Sequence, residues 1–138
     1  DDVTEAIRTL EVTKNVKYIA QVPGVRKEMV RLQRQIAKAR SAVLEGRDIG
    51  TVVFPAAKYK FYLDASPETR VERRFAELKA SGKPVVRQDV EKDVFARDDS
   101  DMNRTVGPLK KAEDAIVIDT TRLSIEEVVE RLLSYIQQ

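Results

Sequence analysis

The chain has 138 residues, 42% of them apolar and 35% charged, with 25 basic and 23 acidic side chains and a formal net charge of +2. That composition suits one globular domain and argues against disorder, while the near balance of charge argues against a protein that lives on phosphate backbones. Cysteine and histidine are both absent, which excludes disulfides, thiolate metal sites, imidazole-bound zinc, and Ser-His-Asp or Cys-His catalysis.

No apolar run approaches the roughly 20 residues of a membrane span, and the opening DDVTEAIRTL is acidic, unlike a signal peptide. A soluble, cytoplasmic chain is expected. With no internal repeat and no low-complexity linker, it reads as one piece.

In chain order, a short helix holds Val12, Val16 and Ile19 and ends before Pro23-Gly24. Apolar residues then fall at Val25, Met29, Leu32 and Ile36, which predicts a solvated helix with one buried stripe. SAVLEG at 41–46 and KYKFYLDAS at 58–66 predict two strands. Ser66 and Pro67 form an N-cap and first-turn pair, Val71, Phe75 and Leu78 a buried face, and Gly82 a helix end. DVEKDVFARDDSDMNR at 89–104 has helical character, and AIVIDTT at 115–121 predicts a third strand. The last helix opens on a capping box, Ser124 with Glu127, and runs through Val128, Leu132 and Tyr135. Strands alternating with helices predict an α/β fold, a parallel sheet with helices on its faces.

Ligands of such sheets bind at the carboxyl ends of the strands. Each predicted strand ends on a polar group: Arg47-Asp48, Asp64-Ala65-Ser66 and Asp119-Thr120-Thr121. For Asp64 and Asp119, strand termination and helix entry are a sufficient reading. Gly46 already serves the first turn, so Arg47 and Asp48 are candidates for a ligand. In a helix, Arg97, Asp101 and Arg104 share one face, in line with Val90 and Val94. A ladder of surface ion pairs at ~0.2–0.5 kcal/mol each is the plain alternative. Guanidinium forks, however, bind phosphate oxygens bidentately, and a carboxylate among them can accept from ribose or hold an arginine in place. Thr105-Val106-Gly107-Pro108 then breaks the helix, as a movable segment requires. A third group is Arg70, Arg73 and Arg74, where Arg70 and Arg74 share a face that a solvated, Glu-paired surface explains equally well.

EGRDIGTVVFP, FYLDASPETRVERR, ARDDSDMNR followed by PLKKAEDAIVIDTT, and LSIEEV stand in this order, and together they resemble the bacterial cytidylate kinases from Ala6 to Ile136. The resemblance implies a P-loop nucleoside monophosphate kinase fold that uses ATP with Mg²⁺ to phosphorylate CMP or dCMP. Residues 1–40 would form part of the monophosphate-binding insert with the helix after it. Residues 41–138 would form the remaining core, with a lid at about 84–108. By the same resemblance Arg47 contacts the CMP phosphate, Asp48 the base side of the nucleotide, and Arg26 cytosine. Arg97 and Asp101 hold the ribose and phosphate region, Arg104 closes on the transferring phosphoryl group, and Arg70 with Arg74 approaches ATP. Arg47, Arg97 and Arg104 are thus the catalytic candidates, with no metal ligand among this chain's residues. The resemblance also implies a monomer when complete, with small nucleotides as partners and neither nucleic acid nor membrane.

Two positions depart from the family pattern. Lys17, in VKYIA, stands where a cytosine-contacting serine is expected. No G-x-x-x-x-G-K-[ST] motif occurs either: the one Gly-Lys pair is Gly82-Lys83, with Glu77 where the first glycine would stand. The simplest expectation is a piece of the enzyme, inactive alone, whose P-loop and central strand lie in an N-terminal portion. A non-catalytic nucleotide-binding or interaction module and a kinase for another nucleoside monophosphate remain as alternatives.

Overall fold

The structure is a computed structural model that describes residues 2–4, 6–38, 41–82 and 84–137, without the side chains of residues 8, 10, 13, 14 and 17. The side chain of Lys17 therefore lies outside the described residues. A 3₁₀ turn at Ala6–Arg8 leads into α1 (Leu10–Ala20) and α2 (Pro23–Lys38), and a π-helical turn spans Ile49–Val53. Strand β1 (Phe61–Asp64), helices α3 (Pro67–Ala80) and α4 (Arg87–Asn103), strand β2 (Ile116–Asp119) and helix α5 (Ile125–Ile136) complete the order.

β1 and β2 pair in parallel, Phe61 with Ile116 through Asp64 with Asp119. Two helices connect them, as a parallel crossover requires. This is the expected α/β class, carried by a two-stranded sheet. The strand expected at 41–46 is not present. That segment is extended but pairs with no strand among the described residues, and Val43 is fully exposed. β-branched composition favours extension, but a strand exists only where a neighbour accepts its backbone hydrogen bonds.

The local signals behave as written. The Ser66 hydroxyl accepts from the Thr69 amide, and Pro67 opens α3. Gly82 takes the left-handed φ of 73° just past that helix. At α5 both halves of the capping box form, Ser124 Oγ with the Glu127 amide and Glu127 Oε2 with the Ser124 amide. Arg73 ties α3 to the end of β2, donating to Thr120 Oγ1 at 3.0 Å and to its carbonyl at 2.5 Å. α5 returns to the sheet through the tilted ring pair Phe61 and Tyr135, with centroids 6.1 Å apart.

Among the described residues the buried apolar core is small: Val53, Val71, Val90 and Ile118. The chain exposes 10702 Å², against roughly 7,300 Å² for a compact monomer of its mass. Much apolar surface lies on α1, α2 and α5. The stripe expected to be buried on α2, Val25, Met29, Leu32 and Ile36, is exposed, with Ile36 at 65%. The adjacent stripe, Arg26, Val30, Gln33 and Ala37, faces the protein instead, because Arg26 and Arg34 find their partners in the segment 48–53. No helix among the described residues is long and apolar enough to cross a membrane.

Candidate functional site

The polar residues of the site come from three parts of the chain. Asp48 N-caps the π-helical turn and is buried at 4% exposure. A carboxylate at that depth needs a partner. Arg26, in the first turn of α2, supplies it through Nη2. The two lie 22 residues apart in sequence, and only the approach of α2 to the turn joins them.

Arg47, one residue earlier, points elsewhere. Its Nε donates to Asp101 Oδ2 at 2.7 Å. Asp101 lies in the last turn of α4, flanked by Arg97 Nε at 3.9 Å and Arg104 Nη1 at 3.9 Å. The spacing argument placed all three on one helical face, but Arg104 lies just beyond the helix. It is the C-cap, with ψ 142°, and approaches Asp101 from the departing chain. Its side chain is 9% exposed, and its Nε donates to the Gly107 carbonyl at 2.5 Å. A single carboxylate thus bonds Arg47 and has two further guanidiniums 3.9 Å away. Each retains further N–H groups, since a guanidinium carries five donors.

The loop after α4 closes against the first pair. Gly107 is buried, with a left-handed φ of 58°, and a Cβ there would collide with the Asp48 carboxylate. The Leu109 amide donates to the Asp101 carbonyl at 2.7 Å, fixing the chain as it leaves the helix. Between α2, Asp48 and this loop lies an open cleft of about 810 Å³, lined by Arg26, Lys27, Arg31, Asp48, Val106 and Gly107 among others. Arg26 lines this cleft beside Asp48, and the Gly107 loop, which Arg104 bonds, joins it to the second group, where Arg47, Arg97 and Arg104 stand around Asp101. The arrangement retains positive charge for an anionic ligand.

Arg70 and Arg74, expected on one face, do not converge. Arg70 Nη1 reaches Asp98 Oδ2 at 2.5 Å, whereas Arg74 pairs with Glu77 at 2.8 Å along its own helix. Arg70 therefore links α3 to α4 one turn from Asp101, and Arg74 forms the solvated i,i+3 pair of its plain alternative. The strand ends also follow their plain reading: Asp64 Oδ1 accepts from the Ala65 amide and Asp119 Oδ1 from the Thr121 amide. The Thr121 contact holds the Asp119 carboxyl below the usual range. Among the described residues, no three acidic side chains converge where they could hold a metal ion.

Sequence reasoning missed three contributors. Asp98 was passed over as one acid in an acidic run. Gly107 read only as a helix breaker. Arg34 lies two i,i+4 steps beyond Arg26 and so on its face, a spacing that could have singled it out. Its Nε and Nη2 donate to the carbonyls of Val53 and Val52, both at 2.8 Å.

The profile of the cytidylate kinase family matches residues 1–138. The chain belongs to that family. It is 49% identical over 138 residues to a cytidylate kinase of Anoxybacillus flavithermus, covering all of this chain and 61% of that protein. It is 51% identical to one of a Geobacillus species, covering 62% of it, and 44% identical to one of Thermotoga maritima, covering 63%. The chain thus spans about three fifths of the length of the curated relatives it matches. The family implies the P-loop nucleoside monophosphate kinase fold, and a parallel sheet with helices around it is consistent with an incomplete domain of that kind.

Proposed function

We propose that this chain supplies the acceptor-nucleotide site and the lid of an enzyme that transfers a phosphoryl group from ATP to CMP or dCMP. The observation that carries the reading is the pairing of four arginines with two carboxylates in adjoining groups, Arg26 with Asp48 at the cleft and Arg47, Arg97 and Arg104 with Asp101. Phosphoryl transfer asks little covalent chemistry of a protein. It needs in-line positioning and positive charge on the transferring group, which a site without histidine can provide.

In this reading Arg47 and Arg97 hold the acceptor phosphate, and Asp101 keeps both in their working orientation. Arg26 and Asp48 receive the nucleoside. Arg104, tethered to Gly107, brings its remaining donors onto the transferring phosphoryl group. Arg70 approaches ATP through its link to α4, and Arg74 reaches it only by leaving its pair with Glu77. Residues 1–40 belong to the monophosphate-binding insert and residues 84–108 to the lid. The cradle for ATP and Mg²⁺ is assigned to length that the relatives have and this chain does not. The exposed apolar faces of α1, α2 and α5 suit a piece whose remaining part covers them. Acting on free nucleotides, the whole enzyme would work in the cytoplasm as a monomer.

The test is calorimetric titration of the folded chain with CMP, with UMP and AMP beside it. Saturable binding that prefers CMP supports the reading, and a preference for UMP or AMP moves the assignment to another monophosphate kinase. One observation favours a second reading, a nucleotide-binding module without transfer activity: the sequence contains no Walker A motif. A phosphate-binding Gly-rich loop encoded upstream in the same reading frame rules that reading out.

A further inference from the structure

Helix α2 grips the segment after Arg47 at two places. At one end Arg26 pairs with the Asp48 carboxylate. At the other, Arg34 donates from Nε to the Val53 carbonyl and from Nη2 to the Val52 carbonyl, each at 2.8 Å. These carbonyls close the π-helical turn, where helical carbonyls lack intrahelical partners and a cation is favoured. The turn is anchored on Asp48: the amides of Val52 and Val53 donate to its carbonyl at 2.8 and 3.1 Å. Val53, only 1% exposed, fastens the same turn into the core.

We infer that Arg34 is a positioning residue for the acceptor site, an inference that rests on the reading above. It acts through Asp48. By holding both terminal carbonyls it fixes the π-helical turn, and the turn fixes the backbone from which Arg47 and Asp48 diverge toward Asp101 and Arg26. The planar guanidinium spans two adjacent carbonyls at once. A lysine ammonium, a point donor on a flexible stem, can hold only one firmly.

The test compares Arg34→Ala and Arg34→Lys in the full-length gene product, measuring kcat, KM for CMP, KM for ATP, CMP affinity by calorimetry, and Tm. Misplacing a clamp costs roughly tenfold to a hundredfold, so Arg34→Ala is expected to raise KM and Kd for CMP by about tenfold or more. KM for ATP should stay within about twofold, because uniform binding lost at one substrate leaves the other untouched. Arg34→Lys should fall between the wild type and Arg34→Ala. If Arg34→Ala does not fold, Arg34→Lys carries the test: its CMP constants must rise alone, at a Tm near the wild type. Unchanged CMP constants, equal losses for both nucleotides, or a lysine variant no better than alanine would overturn the role of Arg34 while leaving the site assignment intact. A wild-type protein that neither binds nor phosphorylates CMP overturns both.

Discussion

Arg47 donates to Asp101 across 54 residues of chain, at 2.7 Å, and Arg97 and Arg104 stand on either side of the same carboxylate. One acid is therefore shared by three arginines, and it belongs to the helix that leads into the Gly107 loop. In the proposed site, removing Arg47 takes away a ligand donor and also leaves Asp101 less well neutralised. In the full-length enzyme, Arg47→Ala is expected to lower kcat/KM for CMP by about 10²-fold or more. Steady-state kinetics check it, and an unchanged value would remove Arg47 from the site.

In the proposed function Arg104 acts at a different stage. It is nearly buried and tied to Gly107, so its free donors are aimed by the loop. Arg104→Lys keeps the charge and loses the fork. The expected result is a fall in kcat of roughly 10³-fold with a far smaller change in CMP affinity, as for an arginine that serves mainly the transition state. Parallel measurement of kcat and of the Kd for CMP separates the two.

The capping box of α5 gives a stability prediction independent of function. Ser124→Ala removes the acceptor for the Glu127 amide. It should destabilise the protein by about 1 kcal/mol, read as a lower urea midpoint at unchanged slope, with kcat unaffected.

In a core of so few buried apolar residues, Val71→Ala should matter more. Val71 is 1% exposed, and deleting its methyl groups leaves a void under α3. A loss of about 2 kcal/mol is expected, measured by the same unfolding experiment.

Acid should act at Asp114. The Lys60 ammonium, itself buried, bonds its carboxylate at 2.5 Å and holds the carboxyl below the usual 3.8. A depressed folded value means that the stabilisation is present above the unfolded value and disappears as pH falls through the folded one. Asp114→Asn should therefore be less stable than the wild type at neutral pH. The gap should close as pH drops below about 4, and urea midpoints across that range report it.

Sequence by itself determined the local architecture and the chemical inventory. The Ser66-Pro67 start of α3, the Ser124–Glu127 box of α5, the glycine that ends α3 and the helical character of 89–104 are encoded within a few residues, because caps and turns are satisfied by near neighbours. Arg26, Arg47, Asp48, Arg97, Asp101 and Arg104 were likewise legible as candidates, while Arg34 and Asp98 were not, and the family to which the motifs point was legible too. Tertiary structure decided which acid meets which base. Arg26 with Asp48, Arg47 with Asp101, Arg70 with Asp98 and Arg34 with the carbonyls of Val52 and Val53 are all contacts between distant segments, and no short-range rule assigns them. It also placed Arg104 past the end of α4, turned Arg70 and Arg74 to separate partners, and overturned two expectations of local structure. The residues 41–46 have strand composition but no ladder partner among the described residues, and the apolar stripe of α2 has helical spacing but faces outward. Propensity and periodicity describe what a segment can do, while pairing and burial require a second surface in the right place.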